Sequence, residues 1–317
     1  MFNKAFSLLF FASLCMASAS FAFGQSYVSS AGNDANPCDA VNPCRTVNRA
    51  LAAAGVGGAA LLVDAGPYDA FVITRSARVI AATGAAPRVI APDNSTPAIK
   101  VALPPDEYAY LEGLIFNTAA DGATAVSWTM PSKLLWMKNC QVYGFLNGIS
   151  AKAGGNMFVD TCVFNGGGGG AGIGLETSSE TEPIYSTIQY TEISGHYTGV
   201  DAGSNTDVGI RGSRIFGCNA GVVVRAINAD LGGSDNSHAY VTVTGSWVYG
   251  NSMGLIQDWT FSSVTRTVLR LGYNSVYSNS NAGIWGGCDL GGNAVFGNGW
   301  TFIDDLWRSG RAPACAF

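Results

Sequence analysis

From Leu111 onward the chain repeats one alternation of apolar and polar positions. An aliphatic residue is followed three positions on by a small polar residue or cysteine, and two positions later by a second apolar residue. A short corner rich in Gly and Asn then closes on a glycine and an aliphatic. "IRGSRIFGCNAGV" from Ile210, "VTGSWVYGNSMGL" from Val243 and "LGYNSVYSNSNAGI" from Leu271 show the formula plainly. Its first aliphatic column is Met137, Val159, Ile188, Ile210, Val243, Leu271 and Leu290. The polar column is Cys140, Cys162, Thr191, Ser213, Ser246, Asn274 and Asn293, and the second apolar column is Val142, Phe164, Ile193, Ile215, Val248, Val276 and Val295. The closing glycines, Gly148, Gly172, Gly199, Gly221, Gly254 and Gly283, are separated by 24, 27, 22, 33 and 29 residues.

A period near 22 with occasional insertions is the length of one coil of a right-handed parallel β-helix, each coil holding about three short strands. Each strand pairs with its equivalent one coil on, about 4.8 Å away. Insertions have to leave the coil as loops, because an extra residue within a strand would turn its apolar set outward. The largest are Glu176–Thr187 and Ala226–Ala239. The polar column marks an inward bend where small side chains satisfy the turn backbone. The predicted class is all-β, a single-stranded right-handed parallel β-helix of about 9–10 coils. A β-sandwich would favour antiparallel hairpins with half-polar strands in place of a shared coil formula.

The predicted organisation has four parts: a signal peptide over 1–22, an N-terminal segment with a capping helix over 23–60, the β-helix over 61–300 and a C-terminal cap over 301–317. The leader has Lys4, an apolar run from Phe6 to Ala17 and small-residue cleavage sites in "ASASFA". That run is too short to span a membrane, so the mature chain is expected to be secreted, with no membrane insertion. Asn42 as cap, Pro43 in the first turn and Gly55 at the end delimit the helix, with Val47, Ala50, Leu51 and Ala54 as its apolar face. Such a helix would cover the open end of the coil.

Composition supports short strands and tight turns: Gly supplies 41 of 317 residues and only 12% are charged. Without the leader the chain carries 16 basic and 22 acidic residues, a net of −6. This charge makes duplex nucleic acid and anionic membrane surfaces poor partners, and no nucleic-acid partner is expected. Cys38 and Cys44 flank "DAVNP" and can close a small loop, and Cys288 with Cys315 can tie down the tail. Cys140 and Cys162 fall in one column of adjacent coils, as stacked thiols or a bridge, while Cys218 has no evident partner. There is no CxxC spacing, and the two histidines are 42 positions apart, which argues against a zinc site.

The entry "YVSSAGNDANPCDAVNPCRTVNRAL" and then "LLVDAGPYDAFVITRSARVIAATG" resembles that of secreted bacterial β-helix proteins of the pectate-lyase-like superfamily. The resemblance covers residues 26 to about 305. It implies the fold and a polysaccharide or cell-surface glycan as partner, held in a groove along the coil exterior. Trimers occur among tailspike-like relatives, so monomer and trimer both stay open. The superfamily's enzymes either hydrolyse with paired carboxylates or eliminate with a base and a cation that neutralises the uronate carboxylate.

The hydrolase pattern fails at its corners, where Thr198, Ala220 and Met253 stand in place of acids. "NTD" at Asn205–Asp207 falls after the Gly-aliphatic strand instead of before it, and "DD" at Asp304–Asp305 lies in the tail. The elimination pattern has a better set. On the strand after the corner, Lys152, Glu176, Asp201, Arg225, Asp258 and Trp285 face outward, with His196, Tyr197 and His238 near the turns and loops. Here Arg225 or Lys152 is the candidate base, Glu176 and Asp201 are the candidate calcium ligands, and Trp285 can stack on a sugar face. Asp258, His196, Tyr197 and His238 complete the substrate-binding set. The same stripe can equally be a solvated row of alternating charge that stabilises stacked strands. The sequence therefore supports two functions: glycan binding with lyase-type cleavage of a uronate-containing chain, or a non-catalytic extracellular structural or adhesive scaffold.

Overall fold

A computed structural model describes residues 24–299 apart from 119–120, 177–181, 226–237 and 258–265. The chain winds into a right-handed parallel β-helix of three sheets, with 11, 10 and 9 strands in the order a coil visits them. One coil consists of Ser132–Lys138 on the first sheet, Gln141–Tyr143 on the second and Asn147–Ala151 on the third. Every pairing is with the equivalent strand of a neighbouring coil and is parallel, as in Ile188↔Ile210↔Val243↔Leu271. The first coil starts earlier than the sequence suggests. Gln25–Val28 already pairs with Ala59–Leu62, so the capping helix sits within the first coil and not ahead of it.

The helix runs over Val47–Ala54 and buries Val47, Ala50, Leu51 and Ala54 as the periodicity predicts. Its N-cap, however, is Thr46, whose hydroxyl accepts from the Arg49 amide at 3.2 Å. Asn42 and Pro43 are instead held in a preceding loop, closed by the Cys38–Cys44 disulfide. Gly55 ends the helix at φ 79°, as expected.

The aliphatic columns form the core: Met137, Val159, Ile188, Ile210, Val243 and Leu271 are all buried. Leu290 does not join them. A register shift on the last strand pairs Leu271 with Asp289 and Gly272 with Gly291, which leaves Leu290 41% exposed. The polar column is a ladder between coils. The amides of Cys162, Thr191, Ser213, Ser246 and Asn274 donate in turn to Thr191 Oγ1, Ser213 Oγ, Ser246 Oγ, Asn274 Oδ1 and Asn293 Oδ1, at 2.9–3.3 Å. Each rung satisfies a buried amide that the sharp bend removes from the sheet. The residue before each rung is left-handed, with φ 51–55° at Tyr190, Thr161, Asn139 and Tyr273.

Cys140 and Cys162 are free thiols, not a bridge. Their Sγ atoms donate to the carbonyls of Lys138 and Asp160, each at 3.4 Å, and the two thiols also touch each other, which together with burial raises the Cys162 pKa. Cys288 is disulfide-bonded, and its expected partner Cys315 lies outside the described residues. Cys218 is free and buried.

A second ladder lies at the corner between the second and third sheets. The amides of Cys218, Asn251 and Asn279 donate to Asn251, Asn279 and Asn298 Oδ1 at 2.9, 3.1 and 3.0 Å. Beside it runs the glycine column. A Cβ on Gly148, Gly172, Gly199, Gly221 or Gly254 would lie 2.3–2.7 Å from the carbonyl oxygen of the next glycine along. The glycine of every Gly-aliphatic pair is thus required by the coil above it, whose backbone crosses at a distance no side chain tolerates.

The expected insertions are shorter than the sequence suggested, with strands resuming at Ile184 and His238. Among the described residues no helix is long and apolar enough to cross a membrane.

Candidate functional site

The outward residues of the third sheet form two rows, not one. In register, Ser127, Ser150, Gly174, Asp201, Val223, Ile256 and Trp285 make the first row. Lys152, Glu176, Gly203 and Arg225 follow two residues later, still in register through backbone bonds such as Arg225 N–H to Ala202 O at 2.9 Å. Counted from the glycine of each coil, Asp201 and Trp285 stand at the second position and Lys152, Glu176 and Arg225 at the fourth. Both positions face outward, so alternation alone could not separate them.

Two glycines open a cleft in these rows. Gly174 leaves a gap beside Asp201, and Gly203 gives room to the Glu176 side chain, from which a Cβ there would stand 3.1 Å. The result is a cleft of about 270 Å³ lined by Lys152, Glu176, Tyr197, Thr198, Asp201 and Arg225, among others. Arg225 reaches diagonally over Gly203 to Asp201, with Nε to Oδ1 at 2.9 Å and Nη2 to Oδ2 at 2.6 Å. This is a bidentate, charge-assisted pair between adjacent coils. Burial pushes the Asp201 carboxyl above its ordinary range, and the Arg225 charge offsets this only in part. Lys152 and Glu176 make no ion pair with any described residue.

Lys152, Glu176, Tyr197, Asp201 and Arg225, all expected from the sequence, therefore line one cleft. The others lie elsewhere. His196 is buried inside the coil at 2% exposure, in the ladder position that Cys218 and Asn251 fill in later coils. Gly166 makes room for it, since a Cβ there would lie 2.4 Å from Nδ1. His238 starts a first-sheet strand and packs on Tyr240, with ring centroids 4.9 Å apart. Trp285 shares the Asp201 row but stands three coils on, about 14 Å away. Asp258 lies outside the described residues. Ser150 and the two gap-forming glycines were not singled out from the sequence; their signal was small residues at outward positions.

Glu176 and Asp201, the two expected calcium ligands, both line this cleft. Asp201 spends both carboxylate oxygens on Arg225, and Glu176 stands in the other row. Among the described residues no three His, Cys, Asp or Glu side chains come together as a ligand set.

No protein-family model matches the chain, and a search of curated proteins finds no match. Solved structures do match. The crystal structure of pectate lyase Pel9A superposes with a TM-score of 0.53 at 14% identity, over 88% of this chain and 70% of that one. What the two chains share is the right-handed parallel β-helix. XylC in complex with xylose gives a TM-score of 0.50 at 11% identity, over 86% of this chain and 68% of that one. At these identities the likeness establishes the β-helix of this chain and leaves its chemistry to the cleft.

His196 makes the fold sensitive to pH. Its Nδ1 lies 3.4 Å from Leu146 O, while Nε2 is buried without a partner. Burial lowers its pKa below the ordinary 6.5, outweighing the nearby carbonyls. The folded state therefore resists the proton that the unfolded chain accepts, and stability falls as pH drops below 6.5. The expected loss is up to about 2 kcal/mol between pH 7 and pH 5. His196→Asn should remove most of that slope in urea melts at the two pH values; an unchanged slope would place the sensitivity elsewhere.

Proposed function

We propose that the protein is a secreted glycan-binding β-helix that takes a uronate-containing polysaccharide in the third-sheet cleft. The observation that carries this reading is the pairing of Arg225 with Asp201 across the gap left by Gly174 and Gly203. Asp201 fixes the guanidinium plane, and the remaining N–H donors can meet a sugar carboxylate in the fork geometry that arginine favours. Lys152 adds a second cation, and Tyr197, 59% exposed, offers an amphipathic wall. The Cys38–Cys44 disulfide suits an oxidising compartment.

The catalytic form of this reading is β-elimination. Held by two bonds to Asp201, Arg225 is assigned here to binding and neutralising the uronate carboxylate. Lys152 is the candidate base: only as the neutral amine can it take the proton α to that carboxylate, becoming the cleft's second cation as it does so. The C–O bond at the β carbon breaks, the double bond forms and the leaving oxygen takes a proton from water. The second reading, a non-catalytic scaffold, is favoured by one observation: the same ion pair ties adjacent coils together.

Gly174→Leu tests the site. A Cβ at Gly174 meets nothing closer than Ala171 Cβ at 3.5 Å, so the variant should fold while filling the cleft. Expected is at least about a tenfold loss of affinity for polygalacturonate or alginate, with stability changed by no more than about 0.5 kcal/mol. Absorbance of the unsaturated uronate product separates cleavage from binding. Unchanged affinity in a folded Gly174→Leu would remove the cleft from glycan recognition.

A further inference from the structure

The first sheet carries a row of aromatic side chains on its outer face, away from the third-sheet cleft. Tyr110, Trp136 and Phe158 occupy the same outward position in three successive coils, paired Tyr110↔Trp136↔Phe158. Trp136 is 37% exposed and Phe158 41%. Arg78 precedes them in the row, with its guanidinium over the Tyr110 ring at 5.7 Å.

Ring orientation sets this row apart from the molecule's other aromatic row. On the second sheet Phe216, Tyr249, Tyr277 and Phe296 stack at 5.0–5.2 Å with interplanar angles of 2–6°. Those rings cover one another's faces, and the stack is an internal brace. On the first sheet Tyr110 and Trp136 meet at 88°, and Trp136 and Phe158 at 48° with centroids 6.1 Å apart. These rings meet edge-on or tilted instead of stacking, Tyr110 lies under Arg78, and the aromatic surface that the row leaves to solvent is that of Trp136 and Phe158.

The charges around the row select what that surface can bind. Arg78 and Lys138 are matched by Glu112 and Asp160. Lys138 Nζ lies 3.6 Å from Glu112 Oε1, and the Tyr110 hydroxyl donates to Glu112 Oε2 at 2.6 Å. The border is polar but balanced, and it offers no net attraction to an acidic chain. A neutral glycan complements it, since a pyranose has one C–H face to lay on a ring and hydroxyls at its rim for the flanking polar groups. Successive coils, about 4.8 Å apart, present one aromatic residue each, a spacing close to the advance of one sugar along an extended chain.

We infer that the Tyr110–Trp136–Phe158 row is a second carbohydrate site, one that binds a neutral, extended polysaccharide independently of the third-sheet cleft. It goes beyond the cleft reading and does not depend on it.

The test uses the mature protein with cellohexaose in titration calorimetry and with cellulose in a pull-down. Trp136→Ala and Phe158→Ala should each weaken cellohexaose binding by about tenfold or more, and Trp136→Tyr should retain most of it. Both side chains lie outside the core, and circular dichroism melts would verify that the variants fold. Gly174→Leu should leave cellohexaose binding intact, while Trp136→Ala should leave polygalacturonate binding intact. Absence of cellohexaose and cellulose binding by the wild type, or equal binding by wild type and Trp136→Ala, would overturn the inference. So would a wild-type dimer in sedimentation that Trp136→Ala dissociates, since the row would then pack on a second copy.

Discussion

Gly221→Ala is expected to destabilise the protein by about 3 kcal/mol or more, although it adds one methyl group. The Cβ would lie 2.5 Å from Gly254 O, with Val248 Cγ1 at 2.9 Å and Asn251 Nδ2 at 3.2 Å. The nearest obstacle is backbone, which can move only if the next coil moves with it. That coil is itself held by Asn251, whose Oδ1 accepts from Cys218 N–H and whose Nδ2 donates to Ile215 O. The methyl group therefore strains the glycine column and the asparagine ladder together. Gly209→Ala is the control. It lies in the outward row of the first sheet, where a Cβ meets only Ser186 O at 3.9 Å, and its expected effect is within about 1 kcal/mol. Thermal melts followed by circular dichroism compare the two. Stacked coils contact only their neighbours, so the Gly221→Ala transition should also broaden as the coils on either side uncouple. Equal melting of the two variants would mean that the column is a by-product of composition and not a packing constraint.

The coil formula was legible because a β-helix writes each cross-section again in the next turn. Ile188, Ile210 and Val243 had to be equivalent, and so did Thr191, Ser213 and Ser246. The cleft was legible for the same reason, as an outward row that collected Lys152, Glu176, Asp201 and Arg225. What failed was phase within the row. Positions two and four after the glycine both face out, and only the pairing Gly174↔Asp201↔Val223 shows that Asp201 belongs to the nearer row. His196 misled through its chemistry. A histidine near a corner reads as a substrate-binding residue, yet here it fills the inward position that asparagine takes in later coils. The second ladder was hidden by that same substitution, since His196 and Cys218 interrupt the asparagine signal of Asn251, Asn279 and Asn298. The break at Leu290 could not be read because a bulge leaves the residue pattern intact while shifting its register. Thr46 displaced Asn42 as the helix cap because the disulfide holds the earlier residues in a loop.

Arg225→Met is expected to reduce affinity for an acidic glycan by about a hundredfold, the scale of losing a charge-assisted fork together with its orientation. Arg225→Lys should recover only part of this, since an ammonium cannot span both Asp201 and a sugar carboxylate in one plane. The informative variant is Asp201→Asn. It removes a negative charge from the cleft, so simple Coulomb attraction predicts tighter binding of a uronate chain. The structure predicts the opposite. Asp201 engages Arg225 through two bonds, at 2.9 and 2.6 Å, and an amide can accept only one of them. The guanidinium would then lose its fixed plane, and affinity should fall by about fivefold to tenfold. Titrations at two salt concentrations distinguish the cases, because a purely electrostatic gain fades as salt screens it while a loss of orientation persists. Tighter binding by Asp201→Asn at low salt would show that the carboxylate only restrains a cation, and the pair would then be a staple between coils. Weaker binding at both salt concentrations would make Asp201 a positioning residue, and it would assign to the gap at Gly174 and Gly203 the role of admitting the sugar to an arginine already aimed at it.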